Sequence, residues 1–124
     1  MQAGAHAYAR TAQAVANPRE LEAQLLLKSA SGLQAAIDSS NGTQRQTIDA
    51  INFNLKVWKI FSTAATDPRN PQPADVKQYV TNLGIFIMSH SLQLLASGAI
   101  DPEELRILVK INRELAAGLR GAGA

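Results

Sequence analysis

Projected at about 100° per residue, the segment 43–66 divides cleanly into wet and dry arcs. Ile48, Ile51, Leu55, Trp58 and Ala65 share one face, Phe53, Val57, Ile60, Phe61 and Ala64 cover the adjoining one, and Asp49, Asn52, Lys56, Lys59 and Thr63 are left for water. An apolar arc wider than half the circumference predicts a helix that others pack around. Segment 73–97 repeats the period, with Val76, Tyr79, Val80, Leu83, Phe86, Ile87 and Leu94 in one stripe that includes His90. From Ile85 a second stripe begins: Ile85, Met88, Leu92 and Leu95. Segment 102–118 turns Leu105, Leu108, Val109, Leu115 and Leu119 inward around Asn112, leaving Ile107 and Ile111 on its flank.

The punctuation agrees with this period. Asn17-Pro18-Arg19-Glu20 and Asp101-Pro102-Glu103-Glu104 each offer a cap, a proline at the first helical position and acids in the first turn. Thr43 and Gln46 have capping-box spacing, Ser39 to Gly42 reads as a tight turn, the prolines of Asp67–Pro73 forbid regular structure, and Gly98 suits a left-handed helix end. The expectation is an all-α fold over a single domain, 1–124. It comprises long helices at 18–38, 43–66, 73–97 and 102–118, a short N-terminal helix or arm at 1–16, and a frayed tail at 119–124. Short loops imply antiparallel neighbours and a compact bundle.

Composition supports helix and removes chemistry. Of 124 residues 46% are hydrophobic, with 21 Ala and 14 Leu against 14 Val and Ile together. With no cysteine there is no disulfide, thiol catalysis or thiolate metal site, and His6 and His90 are too far apart in sequence for a local metal motif. No run is long and apolar enough to span a membrane, and the N-terminus is too polar for a signal-peptide core, so a cytoplasmic protein is expected. Twelve basic residues interleave with ten acids. The one local basic stripe, Arg106, Lys110 and Arg113, reads as a solvated helix face before it reads as an RNA contact.

Candidate chemistry is thin, and no catalytic, cofactor or metal residue is assigned. His90 reads as a packed core histidine, and the paired glutamates as first-turn acids complementing helix dipoles. The mid-helix oddities say more. Asn112 in an apolar face needs its amide satisfied, most simply by a neighbouring loop, or it fixes packing register. Gly32 and Gly84 each give up about 1 kcal/mol of helix propensity, for which close helix approach is the usual compensation. Asn54 and Asn82 are candidates to clamp the Pro-rich loop. The surplus stripes on the last two helices are either covered by a fifth helix or form a groove for a partner's amphipathic helix. Tyr8, Ala12 and Val15 make the N-terminal segment a candidate lid that a partner could displace.

Four fragments, in order and at matching distances, carry a resemblance. They are Glu20-Leu21-Glu22-Ala23 with Leu25-Leu26-Leu27-Lys28-Ser29-Ala30; Asn54 with Val57-Trp58-Lys59-Ile60-Phe61; Asn70-Pro71-Gln72-Pro73 with Asn82-Leu83-Gly84-Ile85-Phe86; and Ile111-Asn112-Arg113-Glu114-Leu115-Ala116-Ala117-Gly118-Leu119. Over about residues 5 to 119 the chain resembles the FlaF family of alphaproteobacterial flagellar biosynthesis regulators. The resemblance implies a non-enzymatic protein that binds flagellin in the cytoplasm, serves as its secretion chaperone and couples export to synthesis. Further partners implied are an FlbT-like regulator and the flagellar export apparatus. The alternative is a post-transcriptional regulator acting directly on flagellin mRNA or on the FlbT-like repressor. From the projections, the flagellin-binding candidates are Ile85, Met88, Leu92, Leu95, Ile107 and Ile111, rimmed by Arg106, Lys110 and Arg113. Trp58, Phe61, Leu83, Gly84, Phe86 and Asn112 are expected to be structural.

Overall fold

The computed structural model describes residues 18–39 and 43–123. Among them are four helices and no strand: α1 (Pro18–Asp38), α2 (Gln44–Ala65), α3 (Ala74–Ala96) and α4 (Pro102–Gly123). The arm or short helix expected over 1–16 and the turn at 40–42 lie outside the described residues.

The helix ends follow the caps. Thr43 Oγ1 accepts from the Gln46 amide at 3.2 Å, and Asp101 Oδ1 accepts from the Glu103 amide at 3.0 Å. After α3 the chain turns at Gly98, whose φ of 76° is open to glycine at little cost. The Pro-rich loop is held by its own polar groups. Asn70 donates from Nδ2 to the Ala64 carbonyl and accepts the Gln72 amide, and Lys77 Nζ reaches the Asp67 and Asn70 carbonyls. The loop clamp is thus Asn70 and Lys77, whereas Asn82 accepts from Gln78 on its own helix and Asn54 is buried elsewhere. The tail expected to fray from 119 is instead helical to Gly123. Arg120 secures it to the start of α1, donating from Nε and Nη2 to the Glu20 carboxylate at 2.7 to 3.2 Å.

Helix α1 packs closely on α4 and on α2, and α2 packs on α3, whereas α3 and α4 do not pack closely on each other. Glu20 with Arg120 and His90 with Glu104 fix antiparallel directions for α1–α4 and α3–α4. The arrangement is a four-sided bundle with three closed sides and one open. Its centre holds Leu26, Leu33, Ile51, Trp58, Ile87 and Leu108, all fully buried.

Buried polar groups join three helices through that centre. Trp58 Nε1 on α2 donates to Asn112 Oδ1 on α4 at 2.9 Å. Asn112 Nδ2 donates to Asn54 Oδ1 on α2 at 2.8 Å and reaches the Leu26 carbonyl of α1 at 3.4 Å. Ser29 Oγ on α1 donates to the same Asn54 oxygen at 2.7 Å. Asn112 is therefore satisfied by helices and not by a loop, and it ties α1, α2 and α4 in one register.

Helix α3 is attached differently. A Cβ on Gly84 would stand 2.3 Å from Ser62 Oγ, so the backbone of α3 runs tightly against α2, as expected of that glycine. Gly32 is the counterexample: it is exposed and nothing lies near its missing Cβ, so no close approach explains it. The contact at Gly84 goes with a buried face of α3 that comprises Gly84, Ile87, Ser91 and Leu94. Tyr79 and Phe86, expected in the core stripe, are rotated outward to 60% and 46% exposure.

Substitutions at Asn112, Trp58, Gly84 and Arg120 test this packing. Asn112→Ala orphans the Trp58 N–H and opens a hole, lowering stability by about 2–4 kcal/mol in urea unfolding. Adding Trp58→Phe costs less than the sum of the single changes, because the two groups share one bond. Gly84→Ala stays within about 1 kcal/mol of the parent, since the Ser62 hydroxyl can rotate away and alanine favours helix, whereas Gly84→Leu costs about 1–3 kcal/mol by levering α3 off α2. Hydrogen bonds from Arg120 hold the Glu20 carboxyl below the usual glutamate range, against a smaller opposing effect of desolvation. That contribution is fully present above the unfolded-chain value of about 4.3 and is lost as pH falls through the lower folded value. Arg120→Ala therefore returns the Glu20 midpoint in a carboxyl NMR titration toward an ordinary glutamate. It lowers the melting temperature at neutral pH and leaves it unchanged in acid below both midpoints.

Candidate functional site

The open side of the bundle is a cleft with two helical walls. On α3, Tyr79, Leu83, Phe86 and His90 recur at i, i+4, i+7 and i+11, a line along one flank. On α4, Glu104, Ile107, Ile111, Leu115 and Gly118 form the opposing line. Tyr79, Leu83, Ile111, Glu114, Leu115 and Gly118 enclose the hollow between them. Three of its apolar side chains, Leu83, Ile111 and Leu115, also pack against the core, so the walls are anchored from behind.

The ends of the cleft differ. At one, the His90 ring stacks on Phe86 with centroids 5.4 Å apart and planes 10° apart. His90 Nε2 lies 3.1 Å from Glu104 Oε2 without hydrogen-bond alignment, so this contact spans α3 and α4. His90 is packed as expected, its side chain 14% exposed, but its buried Nε2 lacks the hydrogen bond that a core histidine calls for. At the other end, a small hollow lined by Phe61, Val80, Leu115 and Leu119 with Glu22, Asn70 and Gln72 leads to the start of α1. There Gln72, with its amide oxygen toward α1, accepts from Arg19 at 3.0 and 3.3 Å, and Arg19 also pairs with Glu22.

The candidates named from sequence do not form one surface. Ile107 and Ile111 lie on the α4 wall, Ile107 at 40% exposure. Ile85 and Leu92, at 65% and 60% exposure, sit roughly 140° around α3 from the wall centred on Tyr79, Leu83 and His90. Met88 and Leu95 are half-buried on that same far flank. Arg106, Lys110 and Arg113 are turned about 90° to 150° from the α4 wall, and Arg106 pairs with Glu103. The rim of the cleft is acidic instead, carrying Glu114 and Glu104. Trp58, Phe61, Gly84 and Asn112 are buried and Leu83 packs against the core, whereas Phe86 lies on the exposed wall.

The missed wall residues were Tyr79, Phe86 and Glu104. The available signal was the pair of small residues Gly84 and Ser91, seven apart, which mark the buried side of α3 and thereby place Tyr79 and Phe86 off it. Chemically the cleft can bury apolar side chains along a line between two antiparallel helices, the geometry that accepts a third helix by anchors at i, i+3 or i+4 and i+7. Among the described residues no three His, Cys, Asp or Glu cluster as metal ligands, and no helix is long and apolar enough to cross a membrane.

No curated protein and no solved structure matches the chain. The family model described as Flagellar protein FlaF matches residues 4–119, which include both walls of the cleft and the buried polar cluster behind them. The chain belongs to the FlaF family of flagellar proteins.

Proposed function

We propose that the α3–α4 cleft binds an amphipathic terminal segment of flagellin in the cytoplasm, keeps it from premature assembly, delivers it toward the flagellar export apparatus and so couples export to synthesis. The observation that carries this reading is an exposed apolar line on a bundle side that its own described helices leave open, in a chain of a flagellar family. A segment that is disordered alone loses entropy when it orders as a helix, and burial of its apolar face on Tyr79, Phe86, Ile107 and Ile111 offsets that cost. Wall residues on two helices held apart by fixed packing are pre-organised, which lowers the cost on the chaperone's side. The acidic rim favours a segment with basic residues flanking its apolar anchors.

Calorimetry with purified flagellin is expected to give a one-to-one complex. Ile107→Asp and Phe86→Glu each weaken it at least about tenfold, or 1.4 kcal/mol, with helicity retained. Ile85→Glu and Leu92→Glu, on the far flank of α3, leave affinity within about threefold. Absence of binding by the folded protein overturns the reading. Charge reversal at Lys110 and Arg113, which face away from the cleft, spares flagellin capture; loss of flagellin regulation in that variant would instead favour direct action on mRNA or on an FlbT-like repressor.

A further inference from the structure

We propose that the outer face of α3, away from the cleft, is where two copies of this chain pair, with their α3 helices antiparallel about a two-fold axis. The inference concerns a different surface from the flagellin reading and does not rest on it.

The charge pattern supplies the first reason. Between Lys77 and Asp101 there is no Asp, Glu, Lys or Arg in 23 residues, whereas α1, α2 and α4 each carry at least four. Burial does not account for the gap. Ile85 and Leu92 are 65% and 60% exposed, and Gln78, Asn82, Ser89, Gln93 and Ala96 are exposed with them. A wet helix face that lacks charge and carries two large aliphatic side chains has the composition of an interface centre, where charged residues are depleted.

Shape identifies the occupant as a second copy. Ile85, Ser89, Leu92 and Ala96 fall within about 60° on a helical projection and alternate large with small along one line. The midpoint of Ile85 and Ala96 is also the midpoint of Ser89 and Leu92. An antiparallel copy centred between residues 90 and 91 therefore sets Ile85 of each chain over Ala96 of the other, and Leu92 over Ser89. Each large side chain meets a small one, the self-complementarity that an isologous interface requires and an unrelated partner would not. With no charge on the line, the two-fold also brings no like charges together.

The size of the contact sets its strength. From Gln78 to Ala96 the strip is about 27 Å long and a helix with its side chains is about 10 Å wide, so strip on strip covers a footprint of about 270 Å² on each copy. Even with flanking side chains this falls short of the about 800 Å² per partner of a standard interface, which makes the pair a reversible dimer with a dissociation constant of about 10–100 μM. The line lies about 130° around α3 from the cleft wall, so both clefts stay open in the dimer.

Sedimentation equilibrium of the full chain is expected to show monomer and dimer in exchange across that concentration range. Leu92→Glu is expected to stay monomeric with helicity and flagellin binding unchanged. Mixing tests the register. Ser89→Asp and Leu92→Lys each weaken self-association at least about tenfold, yet the two variants pair when combined, since the carboxylate introduced at 89 meets the ammonium introduced at 92. A parent that remains monomeric up to about 500 μM overturns the inference and leaves the cleft reading standing; loss of flagellin by Leu92→Glu in such a monomer gives the face to flagellin instead. A dimer that survives both Ile85→Glu and Leu92→Glu uses another surface and overturns it too. A dimer that Leu92→Glu dissolves, but whose two charged variants fail to pair, overturns the antiparallel two-fold.

Discussion

The amide of Asn112 is the point on which the bundle's geometry turns. Its oxygen takes the Trp58 indole N–H and its nitrogen meets Asn54 and the Leu26 carbonyl, so one side chain holds three helices at fixed height and rotation. Apolar packing alone tolerates sliding and repacking, because burial is nearly non-directional. Directional bonds in a dry interior do not, since a shift by one turn would leave a donor orphaned at a cost of about 1–3 kcal/mol. Ser29 extends the same logic to α1, and Glu20 with Arg120 repeats it at the bundle end, where water weakens it.

Helix α3 lies outside this network and is located by shape. Gly84 against Ser62 sets both its distance from α2 and its rotation. Rotation about that contact sends Ile87 and Leu94 into the core and brings Tyr79 and Phe86 round to face α4 across a gap. The open side is thus a product of two rigid attachments: α4 is fixed to α1, α3 is fixed to α2, and among the described residues His90 with Glu104 reaches between them. An apolar line kept open in this way can receive a helix without a large rearrangement of the core, which is what a carrier of an otherwise self-associating chain requires.

Much of the fold could be read from the residues. The cap-and-proline grammar at Pro18, Thr43 and Pro102 located helix starts to within a residue, and the five wet positions of α2 are all exposed. Two things were hidden. Partners of a buried polar group are a property of three dimensions, so Asn54 and Asn112 each looked odd alone, and the bonds that join them to one another, to Ser29 and to Trp58 could not be read from the chain. Helix rotation was the other, because α3 carries apolar residues around most of its circumference. Periodicity then leaves the inward direction undetermined within a wide arc, and the projection placed Phe86 in the core and grouped Ile85 and Leu92 with Ile107. Gly84 resolves that arc once its contact with α2 is known, and the buried Ser91 lies on the same face.

The central claim is that the gap between α3 and α4, and no other apolar surface of the protein, receives the flagellin segment. Hydrogen exchange of the full-length protein with and without purified flagellin tests it most directly. The account predicts that protection increases along Tyr79–His90 and Glu104–Gly118 while the amides of α1 and of the exposed face of α2 are unchanged. Protection centred on the far surface of α3 and the adjoining face of α2, with the cleft walls unaffected, would contradict it.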